Sequence, residues 1–286
     1  MTAPATPRFS TQDVRRYYDR HTSAFLALGQ GGNAGAIHRA VWGPGVRDRD
    51  EAFHHVENRI ADILASIDTG ADTQHVVDLG CGVGSSACYL AGRLRVRATG
   101  ITLSPAQARI AAERIVAAGL EDRVVCREGD YTDLPNDIEP ADLAYAIESF
   151  VHGPAPDRFF DQCRRLLKPG GVLVICDDFA RPTRDPRAAR ALDRFQAGWH
   201  INALLQPDAL HALARDAGFE LESTVDLTPY LELRRLRDRM IALIVPVLES
   251  LPLDARRFDH LSGGSALQTC LANGWIGYDF VRFRRV

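Results

Sequence analysis

The run VVDLGCGVGSS, residues 76–86, holds the residue types best suited to chemistry. A β-branched apolar run ends in an acid, Asp78, and Gly80, Gly82 and Gly84 follow at alternate positions. This pattern predicts a buried strand, a tight turn bare of side chains and the first turn of a helix. Glycine lets the backbone approach a ligand closely and take up positive φ. No Lys-Ser/Thr pair follows, which excludes a Walker-type phosphate loop. A dinucleotide loop shares the strand–loop–helix logic and stays open from this stretch alone. Further along, Glu148 and His152 close another apolar run. A carboxylate and an imidazole there can hold or move a proton beside a ligand.

These groups converge only if the elements between them form a parallel sheet, which delivers ligand-binding residues at the carboxyl ends of its strands. The alternation predicts strands at 76–79, 97–103, 124–128, 143–147 and 172–176, with helices at 85–94, 105–118 and 156–167. Lys168-Pro169-Gly170-Gly171 reads as a turn. The class is therefore α/β, with helices on both faces of the sheet. The strand ends deliver Asp78 and the glycines, then Thr102, Ser104 and Gln107, then Asp130 and Tyr131. The last two strands deliver Glu148, Ser149, Phe150 and His152, and then Asp177, Asp178 and Phe179. Ahead of the sheet, residues up to 7 read as disordered and a helix starts near Ser10. A loop at 29–35, helices at 36–42 and 50–67 and a polar linker at 68–73 follow. Beyond it come a basic loop at 181–187, helices near 188–199, 207–217 and 229–251, and strands at 219–227 and 278–284. The organisation is a helical lid (1–70), a ligand-binding core (71–180) and a helical cap with the last strands (181–286).

With 286 residues, 46% hydrophobic and 25% charged, the chain reads as an ordinary globular protein. A net charge of −3 speaks against a nucleic-acid partner. No apolar run approaches the roughly 20 residues of a membrane span. The first residues lack an apolar signal core, so a cytoplasmic location is expected. Six scattered cysteines form no CxxC pair and predict neither a zinc site nor a disulfide framework.

Taken in order, DLGCGVG, GITLSPAQ, EGDY, AIESFVH and LLKPGG resemble the motifs of class I S-adenosylmethionine (SAM) methyltransferases, over residues 76–178. The resemblance implies a Rossmann-like sheet, mostly parallel with an antiparallel last strand, and SAM as cofactor. It implies that Gly80 and Gly82 pass under the methionine part and that Asp78 orients the loop. It places Asp130 on the adenine amine and Tyr131 beside the adenine. Most such enzymes carry an acid after the second strand for the ribose; here Thr102 stands instead. The GITLSxxQ form is similar to tocopherol and cyclopropane-synthase-like methyltransferases, where Thr and Gln do that work. Thr102 and Gln107 each offer a donor and an acceptor. The absent acid also counts against an NAD enzyme.

YAIESFVHGP, residues 145–154, is similar to a segment of sterol C-methyltransferases, and geranyl diphosphate C-methyltransferases also place a glutamate here. The resemblance implies an alkene acceptor and a carbocation that Glu148 stabilises and deprotonates. Tyr145, Phe150, Phe179, Phe195 and Trp199 are expected as its aromatic lining. Segments 15–46 and 263–283 are similar to bacterial prenyl- and terpenoid-modifying C-methyltransferases, which implies that Tyr17 and Tyr18 close over SAM and acceptor. A diphosphate would draw on Arg39 with His38, Arg47 and Arg49, and on Arg181, Arg184 and Arg187. Mg²⁺ could bridge it to a carboxylate, with no dedicated protein metal site. The expectation is thus C-methylation of an isoprenoid, geranyl diphosphate foremost. Glu148, His152 and Tyr18 would be catalytic, and Arg39, Phe150, Phe179 and Trp199 would touch the substrate. Two readings stay open: an O- or N-methyltransferase of a secondary metabolite with His152 as base, and a catalytically silent SAM-binding subunit. Homo-oligomerisation through the apolar side of 231–251 is open as well.

Overall fold

The computed structural model describes residues 7–28, 35, 37–67, 72–233 and 259–286. Its centre is a seven-stranded sheet: β1 (Gln74–Leu79), β2 (Val96–Thr102), β3 (Val124–Glu128), β4 (Ala141–Ile147), β5 (Leu167–Ala180), β6 (Phe219–Asp226) and β7 (Ile276–Arg285). The order is β3-β2-β1-β4-β5-β7-β6. The first five strands run parallel, and β7 is antiparallel to β5 and to β6. Every residue of β4 is buried, as expected for a strand covered on both faces. The chain winds outward from β1 through β2 to β3, then returns to lay β4 on the other side of β1. The crevice at that reversal is where such sheets bind ligands.

Nine helices accompany the described strands: α1 (Thr11–Leu28), α2 (Arg49–Phe53), α3 (His55–Ser66), α4 (Ser85–Arg93), α5 (Pro105–Ala117), α6 (Pro156–Leu166), α7 (Ala188–Trp199), α8 (Pro207–Asp216) and α9 (Asp259–Ala272). The start of α5 is written in sequence: Ser104 caps it by accepting from Gln107 N–H, and Pro105 opens it. On one face of the sheet, Val56, Ile60 and Leu64 of α3 and Leu90 of α4 pack with Val76, Leu143 and Val174. On the other, Phe159 and Phe160 of α6 pack with Leu173, Ile175 and Phe283. Helices α7 and α9 cross at two glycines, where a Cβ on Gly263 would stand 2.8 Å from the Gly198 Cα.

Several expected elements differ. Residues 37–42 are not helical. Val41 pairs with Leu231, its N–H donates to Ala52 O, and Trp42 N–H donates to Tyr230 O, so these backbone groups find partners outside a helix. The expected helix at 50–67 is two, divided at His54. The Lys168–Gly171 stretch lies inside β5, which begins at Leu167 and shifts register against β4 between Ala141 and Leu143. Helix α9 was not anticipated. Of the expected 229–251 helix, residues 228–230 form a 3₁₀ turn and Leu231 pairs with Val41. The stretch from 234 to 251, with its proposed dimer face, lies outside the described residues, as do residues 1–6, most of the 29–35 loop and residues 68–71. No helix among the described residues is long and apolar enough to cross a membrane.

Gly100 on β2 makes room for two sulfurs: a Cβ there would stand 2.6 Å from Cys126 Sγ and 2.7 Å from Cys81 Sγ. Gly100→Ala is therefore expected to destabilise the fold by about 1–3 kcal/mol through overpacking. Urea denaturation checks this, and an unchanged midpoint and slope would contradict it.

Candidate active site

A cavity of about 540 Å³ opens at the carboxyl ends of β1, β2, β4 and β5. Side chains of α1, of the strap at 37–40 and of α7 and α9 cover it. One half is polar and is built on the glycine loop. Gly80 and Cys81 both donate their N–H to Ile101 O at 2.9 Å, which folds the loop back over β2. Gly80 has φ +95°, and a Cβ there would collide with Ser149 at 2.3 Å. Gly82 has φ +53°, and its missing Cβ faces the cavity, with Ile37 the nearest neighbour at 4.0 Å. Asp78 accepts from the Tyr145 hydroxyl at 3.0 Å, and burial pushes its carboxyl up to about 7. Thr102 donates to Gln107 Oε1 at 2.8 Å, and Gln107 Nε2 donates to Thr22 on α1 at 3.1 Å. The two residues that stand in for the absent acid thus act as one unit.

The other half is apolar, walled by Phe25, Phe195, Trp199, Ile201 and Leu267. Between the halves sits His152, on a 3₁₀ turn (Phe150–His152) that follows β4. Asp177 holds that turn by accepting from Val151 N–H at 3.2 Å. The Tyr18 hydroxyl lies 2.7 Å from His152 Nε2, and His200 O lies 3.3 Å from Nδ1. Burial pushes the imidazole down to about 4, so it is neutral near pH 7.

Facing it is a cluster of charges. Glu148 follows β4 in the left-handed region at φ 49°. Its Oε1 accepts from Arg39 N–H at 2.8 Å, from Arg39 Nε at 3.1 Å and from the Tyr278 hydroxyl at 2.9 Å. The Arg39 fork also grips both oxygens of Asp178, at 3.0 and 2.9 Å, and lies 4.1 Å over the Tyr278 ring. Burial opposes the charge on Glu148, but Arg39 and His38 overcome it and hold the carboxyl below its ordinary value. Next to Arg39, His38 donates from Nε2 to Glu57 Oε1 at 2.8 Å, and Ser86 donates to the same oxygen at 2.9 Å. Glu57 is fully buried.

The structure brings Tyr18, Arg39, Asp78, Gly80, Gly82, Thr102, Gln107, Tyr131, Glu148, His152 and Trp199 onto one wall. Of the other expected residues, His38, Ser104, Ser149, Asp177, Asp178 and Phe195 also line the cavity, and the following do not. Phe150 and Phe179 lie in the hydrophobic core with Phe159 and Phe160, because the turn that exposes His152 points Phe150 inward. Tyr145 is buried beneath Asp78. Asp130 lies off the wall, accepting from Thr132 N–H at 2.8 Å and its hydroxyl at 2.7 Å. Tyr17 packs behind, its ring 4.5 Å from that of His200. Arg47, Arg181 and Arg187 pair with Glu51, Asp279 and Asp185, off the cavity wall; Arg49 pairs with Glu232, which lines the cavity, and Arg184 is exposed. The sequence reading missed Glu57, yet a signal existed: it is a charged residue on the apolar stripe formed by Phe53, Val56, Ile60 and Leu64.

The His38–Glu57 pair stabilises the fold over a defined pH window. Burial disfavours the His38 charge, but Glu57 raises it to about 9. Its contribution is therefore complete below the ordinary value of 6.5 and is lost as pH rises through about 9. Glu57 is held well below its ordinary value of 4.5, so its contribution is present above that value and is lost only in stronger acid. His38→Ala leaves a buried carboxylate without this partner, with an expected loss of about 3–5 kcal/mol. The variant should also lack the alkaline drop in stability. Urea denaturation at about pH 7 and about pH 10 checks both, and an unaltered alkaline drop would reject the pair as its source.

Comparison with known proteins agrees with this geometry. Residues 77–175 match the model of a methyltransferase domain. Methyltransferase GfsG of Streptomyces halstedii is 30% identical, over 76% of this chain and 76% of that protein. Erythromycin 3''-O-methyltransferase of Saccharopolyspora erythraea is 31% identical, over 71% of this chain and 70% of its own length. Geranyl diphosphate C-methyltransferase from Streptomyces coelicolor A3(2), solved with Mg²⁺, geranyl diphosphate and S-adenosyl-L-homocysteine, has the same fold. It superposes with a TM-score of 0.68 at 21% identity, covering 99% of this chain and 100% of that one. With its glycine loop at the β1–β4 reversal, the chain belongs to the class I SAM-dependent methyltransferases.

Proposed function

We propose that this methyltransferase alkylates a hydroxyl oxygen of an uncharged, largely apolar small molecule, with His152 as general base. The observation that carries the reading is the His152 ring on the cavity wall: buried, neutral, and with Nε2 facing a hydroxyl 2.7 Å away. The residues fit SAM. The bare Cα of Gly82 leaves a cradle open to the cavity, and Asp78, Gly80, Tyr131 and the Thr102–Gln107 unit border it. When bound, SAM supplies a methyl carbon activated by a sulfonium. The acceptor hydroxyl would give its proton to the Tyr18 hydroxyl oxygen while that hydroxyl passes its own proton to His152 Nε2; the O–CH3 bond would form as the S–CH3 bond breaks, leaving a neutral thioether, and the apolar walls would exclude water. Asp177 keeps the turn of the base in place.

Charge supports a neutral acceptor. Arg39 is the one arginine on the described wall, and its fork already serves Asp178 and Glu148. A diphosphate calls for cations free to make paired hydrogen bonds. A Mg²⁺ bridge to a diphosphate would need a carboxylate oxygen on the wall rather than a protein metal cluster. No three His, Cys, Asp or Glu side chains among them are grouped to hold a metal. Asp177 accepts from two backbone N–H groups, and Asp178 from Arg39. A second reading, C-methylation of an isoprenoid alkene, draws on Glu148. Its carboxylate lines the cavity, and the Arg39 and Tyr278 hydrogen bonds all fall on Oε1. The neighbouring guanidinium weakens its pull on a developing cation.

Mass spectrometry of purified protein with SAM, a panel of aliphatic and phenolic alcohols and a panel of prenyl diphosphates separates the two. The expected product is a methyl ether of an alcohol. His152→Ala should lower kcat by about 10²–10⁴-fold, and Glu148→Gln by far less. The acid limb of kcat/KM should fall near the low value of His152, about 4. A methylated prenyl diphosphate, with Glu148→Gln the more damaging change, would overturn the proposal in favour of the second reading.

A further inference from the structure

We infer that the backbone carbonyl of His200 orients the base, by accepting Nδ1–H of His152 and so holding the ring in the tautomer whose Nε2 lone pair faces the Tyr18 hydroxyl on the cavity wall. The inference rests on the reading of His152 as base, and names His200 a positioning residue for it.

The Tyr18 and His200 contacts of the imidazole agree on one proton arrangement. Burial pushes the Tyr18 phenol well up, so its hydroxyl stays protonated and donates to Nε2. A carbonyl oxygen only accepts, so the hydrogen bond to His200 O requires Nδ1–H. A neutral ring carries one N–H, and both partners place it on Nδ1. No carboxylate takes this role, because Asp177 accepts instead from the N–H groups of Val151 and Asp178.

The carbonyl is aimed by an unusual backbone. Helix α7 ends at Trp199, and His200 follows in the left-handed region at φ 53°, ψ 49°. Among the described residues, His200 and Glu148 are the two non-glycine residues with positive φ. Such a conformation costs on the order of 1 kcal/mol and persists only where its surroundings hold it. Here they do. The His200 ring stacks on Phe9 at 4.4 Å and on Tyr17 at 4.5 Å. Two residues on, Asn202 fastens the segment to the turn that carries the base. Its N–H donates to Val151 O at 2.9 Å, and Nδ2 donates to His152 O at 2.9 Å. The same side chain clasps the backbone of Phe9, accepting from its N–H at 2.8 Å and donating to its carbonyl at 3.1 Å.

The test is the tautomer itself, read by ¹⁵N NMR of labelled protein without ligands, with His152→Ala to assign the signal. The expected wild-type spectrum has a pyrrole-like Nδ1 and a pyridine-like Nε2. Asn tolerates the left-handed region and valine does not. His200→Asn should therefore keep the tautomer, while His200→Val should mix or reverse it. The valine variant should lower kcat by about 10²-fold or more, with KM for SAM unchanged. A wild-type spectrum with Nε2–H would overturn the inference, whatever the enzyme methylates and even if the valine variant fails to fold. Retention of Nδ1–H in a folded His200→Val protein would overturn it too. The expected tautomers, found alongside a His152→Ala variant with undiminished methylation, would instead overturn the reading of His152 as base.

Discussion

The guanidinium of Arg39 is the contact on which the site depends. It lies on a strap without helix or strand structure of its own, at 37–40, and reaches the carboxyl ends of β4 and β5 and the amino-terminal end of β7 at once. Glu148 follows β4, Asp178 lies near the end of β5, and Tyr278 stands beside it on antiparallel β7. A planar fork with several fixed donors can satisfy two carboxylates in one geometry, which an ammonium cannot. The strap is thereby held against the sheet, and the crevice at the strand reversal becomes a covered cavity. The adjacent His38 adds a second ionic tie from the strap to Glu57 beneath it.

This arrangement explains the division of the cavity. Its charges face one another rather than a ligand, so the described residues of its walls present polarity without a free cation of the arginine type. What remains for an acceptor is an apolar half closed by Phe25 and Trp199, whose rings stack 5.9 Å apart, and one neutral imidazole. On the proposed reading, such a site distinguishes acceptors by shape and by the placement of one hydroxyl, because burial makes any unpaired polar group of the acceptor costly.

Among the described residues, positive φ with a side chain attached falls where chemistry is expected. The glycine loop has positive φ at Gly80, Gly82 and Gly84, where it is free of steric penalty. Glu148 and His200 have it with side chains attached, one at the charge cluster and one behind the imidazole. Each is held by contacts from distant segments, Glu148 by Arg39 and His200 by Phe9 and Tyr17.

The sequence by itself determined the parallel half of the sheet, the glycine loop and the residues at the strand ends. These follow from local periodicity and from residue types that only one backbone conformation suits, as with Gly82 or the Ser104–Pro105 helix start. It also singled out Arg39, Glu148 and His152, which the structure brings to one cavity. Only the tertiary structure decided what those residues do to one another. Arg39 stands 109 residues from Glu148 and 139 from Asp178, and His152 stands 48 from His200. No periodicity reports a pairing over such separations. The same reason separates Phe150 from the wall it was expected to line: a short 3₁₀ turn decides which of two neighbouring side chains faces the core. And the strap at 37–42, whose composition reads as a helix, is extended because its backbone partners, Ala52, Tyr230 and Leu231, come from elsewhere in the chain.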